Sequence, residues 1–183
     1  MKKYILILIL LPFLACNEPE ARKPIKVKTG SFFKESVERN KQLLAQEETT
    51  IKNIIAQDTV HQYEHSASGS WYYYLSKNEE SSMVPETDDL VSFNYSLLSL
   101  ENDTIYSPSE IGTITYKVDK QELFPGLRNS VKLLKEGETA VFLFPSSLGY
   151  GYHGDNNKIG TNVPLKAVIS LHTIEKTIDS IQS

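Results

Sequence analysis

Phe124-Pro125-Gly126-Leu127-Arg128-Asn129-Ser130-Val131-Lys132-Leu133-Leu134-Lys135-Glu136-Gly137-Glu138-Thr139-Ala140-Val141-Phe142-Leu143-Phe144 is the stretch from which the architecture follows. Pro125 suits the first turn of a helix, where its missing N–H is no loss. Leu127, Val131 and Leu134 then recur at helical spacing, an apolar stripe on a short helix from Pro125 to Leu134. Gly137 ends it. Thr139 to Phe144 turns at once to strand composition. A short helix with one apolar stripe needs a sheet face to cover it.

The flanking sequence supplies that sheet. Trp71-Tyr72-Tyr73-Tyr74-Leu75 is aromatic-rich, as strands prefer. Asp89 to Leu97 alternates, with Val91, Phe93, Tyr95 and Leu97 on one face. Glu101-Asn102-Asp103 reads as a turn, Thr104 to Ser107 as a short returning strand and Gly112 to Val118 as another. Lys166 to Ile174 completes the set. One short helix among four to six antiparallel strands is an α+β design, with the helix on one sheet face.

The chain has 183 residues, one cysteine and a formal net charge of −4. The charge argues against a basic nucleic-acid binder, so no nucleic-acid partner is expected. One cysteine cannot pair within its own chain. Its position is informative. Met1-Lys2-Lys3 precedes an uncharged run from Tyr4 to Ala15, too short for a spanning helix of about 20 residues. A positive start, a short apolar stretch and a small residue describe a signal peptide over 1–15. Leu14-Ala15-Cys16 resembles the bacterial lipobox, with Phe13 standing where an aliphatic residue is usual. The resemblance implies cleavage before Cys16 and its lipidation. The protein is then anchored to a membrane facing the periplasm, inner or outer left open. No other thiol exists, so thiol catalysis and cysteine-ligated metal sites are not expected.

Residues 16–30 read as a tether, with Pro19, Pro24 and three lysines. Ser31 to Gln57 reads as a helix with Ser31 as its N-cap. Phe33, Val37, Leu44, Ile51, Ile54 and Ile55 recur at helical intervals. Two roles stand open for it: packing on its own domain, or pairing, as a homodimer through residues 31–57 or with another partner. His61 and His65, four apart, read as hydrogen-bonded or solvated residues rather than a metal pair. The organisation expected is therefore an extension over 31–68, a domain over 69–176 and a tail over 177–183.

Five blocks in order carry a family resemblance. They are Val91-Ser92-Phe93-Asn94-Tyr95; Phe124-Pro125-Gly126-Leu127; Leu134-Lys135-Glu136-Gly137-Glu138; Phe144-Pro145 with Leu148-Gly149-Tyr150-Gly151; and Val163-Pro164-Leu165 with the strand that follows. Together they resemble the core of the FKBP-type peptidyl-prolyl isomerases, over roughly Gly69 to Lys176. The whole chain is similar to gliding-motility-associated FKBP-type lipoproteins of the Bacteroidetes. The resemblance implies an antiparallel sheet wrapped around one helix. It also implies an aromatic-lined pocket between them, proline-containing polypeptide clients and no cofactor or metal.

Carried over by position, the resemblance implies catalytic roles for Tyr95, Phe124 and Tyr150. It implies substrate contacts for Ile105, Tyr106, Ile114, Leu123, Leu127, Ile159 and Ala167. Tyr150 falls on the tyrosine whose hydroxyl bonds a ligand carbonyl. Leu123 and Phe124 fall on the pair whose backbone N–H does the same. Departures are visible. Ile105-Tyr106 stands where the family has Phe-Asp, Leu127 where a Trp floors the pocket, and Ile114 and Ala167 where phenylalanines are common. Gly149 to Gly160, with four glycines, resembles a flap over the pocket, its His153 and Asp155 read as solvated. Two functions follow. One is an envelope proline isomerase assisting folding, serving gliding motility. The other is a catalytically weak FKBP-fold binding module or chaperone that holds a motility partner.

Overall fold

The computed structural model describes residues 29–177, with side chains from residue 33 onward. The expected leader, the lipidation site Cys16, nearly all of the tether and residues 178–183 lie outside the described residues. The chain divides into two units, residues 1–36 and 37–183. Of the first, only the opening turns of a helix are described.

That helix, α1, spans Thr29–Gln57. The expected start at Ser31 is corrected: the helix already runs at Thr29, so Ser31 lies inside it. A single Gly30 weakens a helix by about 1 kcal/mol but does not stop it. Within the second unit, the C-terminal end of α1 buries Ile51 against Trp71, Leu100 and Leu143, with Ile54, Ile55 and Tyr63 alongside. Phe33, Val37 and Leu44 are exposed. The apolar spacing of α1 thus has two fates, a packed end and an uncovered stripe.

Seven strands form one antiparallel sheet: β1 Glu64–His65, β2 Trp71–Ser76, β3 Leu90–Leu98, β4 Thr104–Tyr106, β5 Ile114–Lys117, β6 Thr139–Phe144 and β7 Leu165–Glu175. Their order is β1-β2-β6-β7-β3-β4, with β5 also on β3. β3 and β7 pair from Leu90↔Glu175 to Leu98↔Lys166, with a bulge at Ser92/Phe93. On its other side β3 receives β5 along its first half and β4 at its end.

Successive strand residues point to opposite faces, and both faces are used. Tyr72 pairs with Phe142 on one, their rings stacked 5.2 Å apart. Trp71 pairs with Leu143 on the other, under α1. Helix α3, Pro125–Val131, covers the first face. It is shorter than the expected helix to Leu134. Its last turn tightens through Leu133 N–H to Ser130 O and Leu134 N–H to Val131 O. Leu127, Val131 and Leu134 are all fully buried there with Phe93, Phe142 and Phe144. Each such burial contributes about 1.5–3 kcal/mol.

Three elements were not anticipated: β1, the one-turn helix α2 at Pro108–Ile111 and the 3-10 turn Ser146–Leu148. α2 did carry a signal. Ser107 and Glu110 form a reciprocal capping box around Pro108. β1 has two exposed residues and no periodicity to read. It also puts His65 on a strand, so His61 and His65 do not share a helix face. His61 Nδ1 sits 2.8 Å from the Asp58 carboxylate and its ring stacks on Tyr73.

Candidate functional site

Three chain segments bring three aromatic rings together beside the start of α3. β3 supplies Tyr95, the residue just before Pro125 is Phe124, and the loop after the 3-10 turn supplies Tyr150. Phe124 is the centre. Its ring lies 6.4 Å from Tyr95, 5.2 Å from Tyr150 and 6.0 Å from Phe144 between centroids. Phe144 is fully buried, whereas Tyr95, Phe124 and Tyr150 are half-buried. Ile105, Tyr106, Ile114 and Leu123 are also half-buried and pack on the same core. Tyr95, Phe124 and Tyr150 form a partly accessible aromatic surface, with Tyr106 near enough to act on both phenols.

The structure separates the other three expected contacts from that surface. Leu127 and Ala167 are 0% exposed and Ile159 is 3% exposed. Leu127 faces the sheet from α3. Ala167 lies near the start of β7, flanked in register by Leu97 and Phe142. Both sit in the core beneath the surface.

Gly126 lets the residues after Phe124 approach the sheet closely. A Cβ there would lie 2.8 Å from the Leu148 carbonyl oxygen and 2.9 Å from the Phe144 ring. The start of α3 is therefore pressed against both β6 and the 3-10 turn.

Several donors at this surface are unspent. Among the described residues, neither the Tyr95 nor the Tyr150 hydroxyl has a hydrogen-bond partner, and the N–H groups of Leu123 and Phe124 donate to none. Burial, followed by the neighbouring Tyr95, Asp155 and Tyr106, pushes the Tyr150 phenol up to about 12. Burial likewise raises Tyr95, with Tyr106 adding to it. Both phenols stay protonated at neutral pH and so remain donors. An apolar bed rimmed by O–H and N–H donors fits a ring with carbonyls on either side.

The expected flap is tied down. Tyr106 donates to the Asp155 carboxylate at 2.5 Å, and Asn157 Nδ2 donates to the Tyr106 oxygen at 3.0 Å. Asp155 also accepts the N–H groups of Asn157 and Ile159, at 2.9 and 2.8 Å. Burial pushes its carboxyl up, but these hydrogen bonds outweigh it and hold it below the usual carboxylate range. Lys158 adds bonds to the Ile105 carbonyl and Glu110, and lies 4.7 Å from the Tyr106 ring centroid. Gly154 is required by this folding. Its φ is +67°, and a Cβ would come 2.4 Å from the Ile159 carbonyl. The reading of Asp155 as solvated is thus corrected: it is the loop's anchor. Asp155-Asn156-Asn157 signals a local turn in sequence, but nothing local points to Tyr106 as its partner.

Among the described residues no group of His, Cys, Asp and Glu is placed to hold a metal ion, and no helix is long and apolar enough to cross a membrane.

Comparison with known proteins bears on this geometry. A family model described as FKBP-type peptidyl-prolyl cis-trans isomerase matches residues 81–172. The chain is 32% identical over 120 residues to the probable FKBP-type peptidyl-prolyl cis-trans isomerase FkpA of Neisseria meningitidis, covering 64% of this chain and 41% of that protein. It therefore spans about two fifths of that relative's length. A peptidyl-prolyl cis-trans isomerase structure from Pseudomonas syringae matches with a TM-score of 0.58 at 17% identity, over 74% of this chain and 96% of the other. The structure of FkpA from Escherichia coli matches with a TM-score of 0.58 at 18% identity, over 96% of this chain and 82% of the other. At these identities the two structures share the fold alone.

Proposed function

Because the chain belongs to the FKBP-type peptidyl-prolyl cis-trans isomerase family, we propose that it accelerates rotation about the bond preceding proline, at the surface formed by Tyr95, Phe124 and Tyr150. The observation that carries this is the set of unspent donors around the Phe124 ring. Isomerisation breaks no covalent bond. Its barrier, about 18–20 kcal/mol for a peptide bond, comes from the partial double-bond character of C–N. That character rests on a charge-separated form which water stabilises and an apolar bed does not. A proline ring against Phe124 takes the amide out of water. The Tyr150 hydroxyl and the backbone N–H groups hold the flanking carbonyls while the bond twists. No proton leaves any of these donors.

The proposal extends to the setting. Lipidation at Cys16 anchors the protein to the envelope, its clients are exported polypeptides, and the service is to gliding motility. Cys16→Ser is then expected to abolish acylation and release the protein into the soluble fraction. The exposed Phe33, Val37 and Leu44 of α1 support a homodimer through residues 31–57. Sedimentation of the Val37→Glu/Leu44→Glu double variant as a monomer, against a wild-type dimer, is the expected result; a monomer in both ends that part of the proposal.

One observation favours a second reading. Leu127 stands where a floor indole belongs and is fully covered, so the aromatic bed has no deep floor. That suits a module which holds a motility partner and catalyses weakly. A protease-coupled assay on Leu-Pro and Phe-Pro peptides separates the two. Acceleration proportional to protein concentration is expected, and a rate equal to the uncatalysed one at high protein concentration leaves the binding module.

A further inference from the structure

Glu47 on α1 is 7% exposed, although Glu35 and Glu38 earlier on the same helix lie in the open. A covered carboxylate needs hydrogen bonds to be tolerable. Glu47 takes two, both from a residue 99 positions away. The Ser146 N–H donates to Oε2 at 2.8 Å and the Ser146 hydroxyl to Oε1 at 2.7 Å. Ser146 is itself 3% exposed. Its carbonyl then accepts the N–H of Gly149 at 3.0 Å and of Gly151 at 2.9 Å. Those two residues bracket Tyr150. A cleft of about 240 Å³ opens beside this chain of bonds, lined among others by Leu43, Leu44 and Tyr152.

From this geometry we infer that Glu47 is a positioning residue for the isomerase site: through Ser146 it fixes the two glycines that aim the Tyr150 hydroxyl. The inference rests on the isomerase reading above. It gives the end of α1 a part in catalysis without touching the substrate. Loosening the Glu47–Ser146 pair lets Ser146 shift, and its carbonyl carries the two bonded glycine N–H groups, and Tyr150 between them, out of place. A displacement of about 1 Å at a reacting group is enough to lower a rate severely.

The test uses the full chain and two readouts. Glu47→Ala is expected to lower kcat/KM on a Leu-Pro peptide about tenfold. It is also expected to speed amide exchange at Gly149 and Gly151 while Val141 and Ile169 of the sheet keep their protection. Glu47→Gln, which retains an acceptor for the Ser146 N–H, is expected to restore most of both. In a Tyr150→Phe background, Glu47→Ala is expected to add little further loss, since both changes act on one hydroxyl. If Glu47→Ala does not fold, Ser146→Ala removes one of the two bonds and is expected to move the same two amides. Unchanged exchange at Gly149 and Gly151, or an equal tenfold loss in the Tyr150→Phe background, overturns the inference. Absence of catalysis by the wild type is a different failure, of the isomerase reading, and the amide exchange then decides the coupling alone.

Discussion

Removing the hydroxyl of Tyr150 separates catalysis from stability. The ring of Tyr150 lies 5.2 Å from that of Phe124, and Tyr150→Phe keeps this contact. The hydroxyl has no partner among the described residues. Its loss therefore leaves no group stranded, and stability should move by less than about 0.5 kcal/mol. On the proposed mechanism the same hydroxyl donates to a substrate carbonyl, a bond worth about 0.5–1.5 kcal/mol net. Converted to rate, that is a loss of roughly 2- to 13-fold in kcat/KM. The assay is the protease-coupled rate on a Leu-Pro peptide beside a urea melt of the same two proteins. A second readout is pH. Because burial and its neighbours push this phenol up to about 12, the proton stays in place and the wild-type rate should be flat from about pH 6 to 9, with no inflection toward the ordinary tyrosine value near 10. A Tyr150→Phe protein that loses stability as much as activity, or none of its activity, refutes the reasoning.

Two further predictions concern the scaffold. Gly126→Ala should destabilise by about 1–3 kcal/mol, since the added carbon meets the Leu148 carbonyl at 2.8 Å and the Phe144 ring at 2.9 Å. Helix propensity alone gives the opposite sign, so a raised melting temperature contradicts the packing account. Asp58 is held well below the usual carboxylate range, first by the hydrogen bond with His61, then by the Val60 N–H. Its depressed value means that its contribution is present above the unfolded value of about 3.9 and is lost as pH falls below that toward the folded value. The melting-temperature gap between wild type and Asp58→Asn should therefore be largest near neutrality and shrink below about pH 4; a gap that widens on acidification would show that the sign is wrong.

The parts legible in sequence are those whose signal is local. Pro125 and the Leu127–Val131–Leu134 stripe mark α3, although it ends at Val131, well before the Gly137 expected to stop it, and Thr139–Phe144 is a strand with the bounds expected. The alternation of β3 puts Val91, Phe93 and Leu97 in the core and leaves Tyr95 half-buried at its edge. Tyr95, Phe124 and Tyr150 converge although 29 and 26 positions separate them in turn. The features with no local signal depend on distant partners. Asp155 reads as a loop acid until β4 brings Tyr106 to it, 49 positions away. Glu47 reads as one more charge on a helix until Ser146 arrives from the far end of β6. The resemblance sets Ala167 against a ligand, but it pairs with Leu97 and Phe142 and is fully buried.

The central claim is that one aromatic surface both binds prolyl segments and turns their bonds. Exchange spectroscopy by NMR on a Leu-Pro peptide, with the full chain added in small amounts, tests both halves together. The account predicts cis–trans exchange cross-peaks that grow with protein concentration, and peptide-induced shifts centred on Tyr95, Leu123, Phe124 and Tyr150. Shifts at those residues without added exchange, or exchange with shifts elsewhere on the sheet, would contradict it.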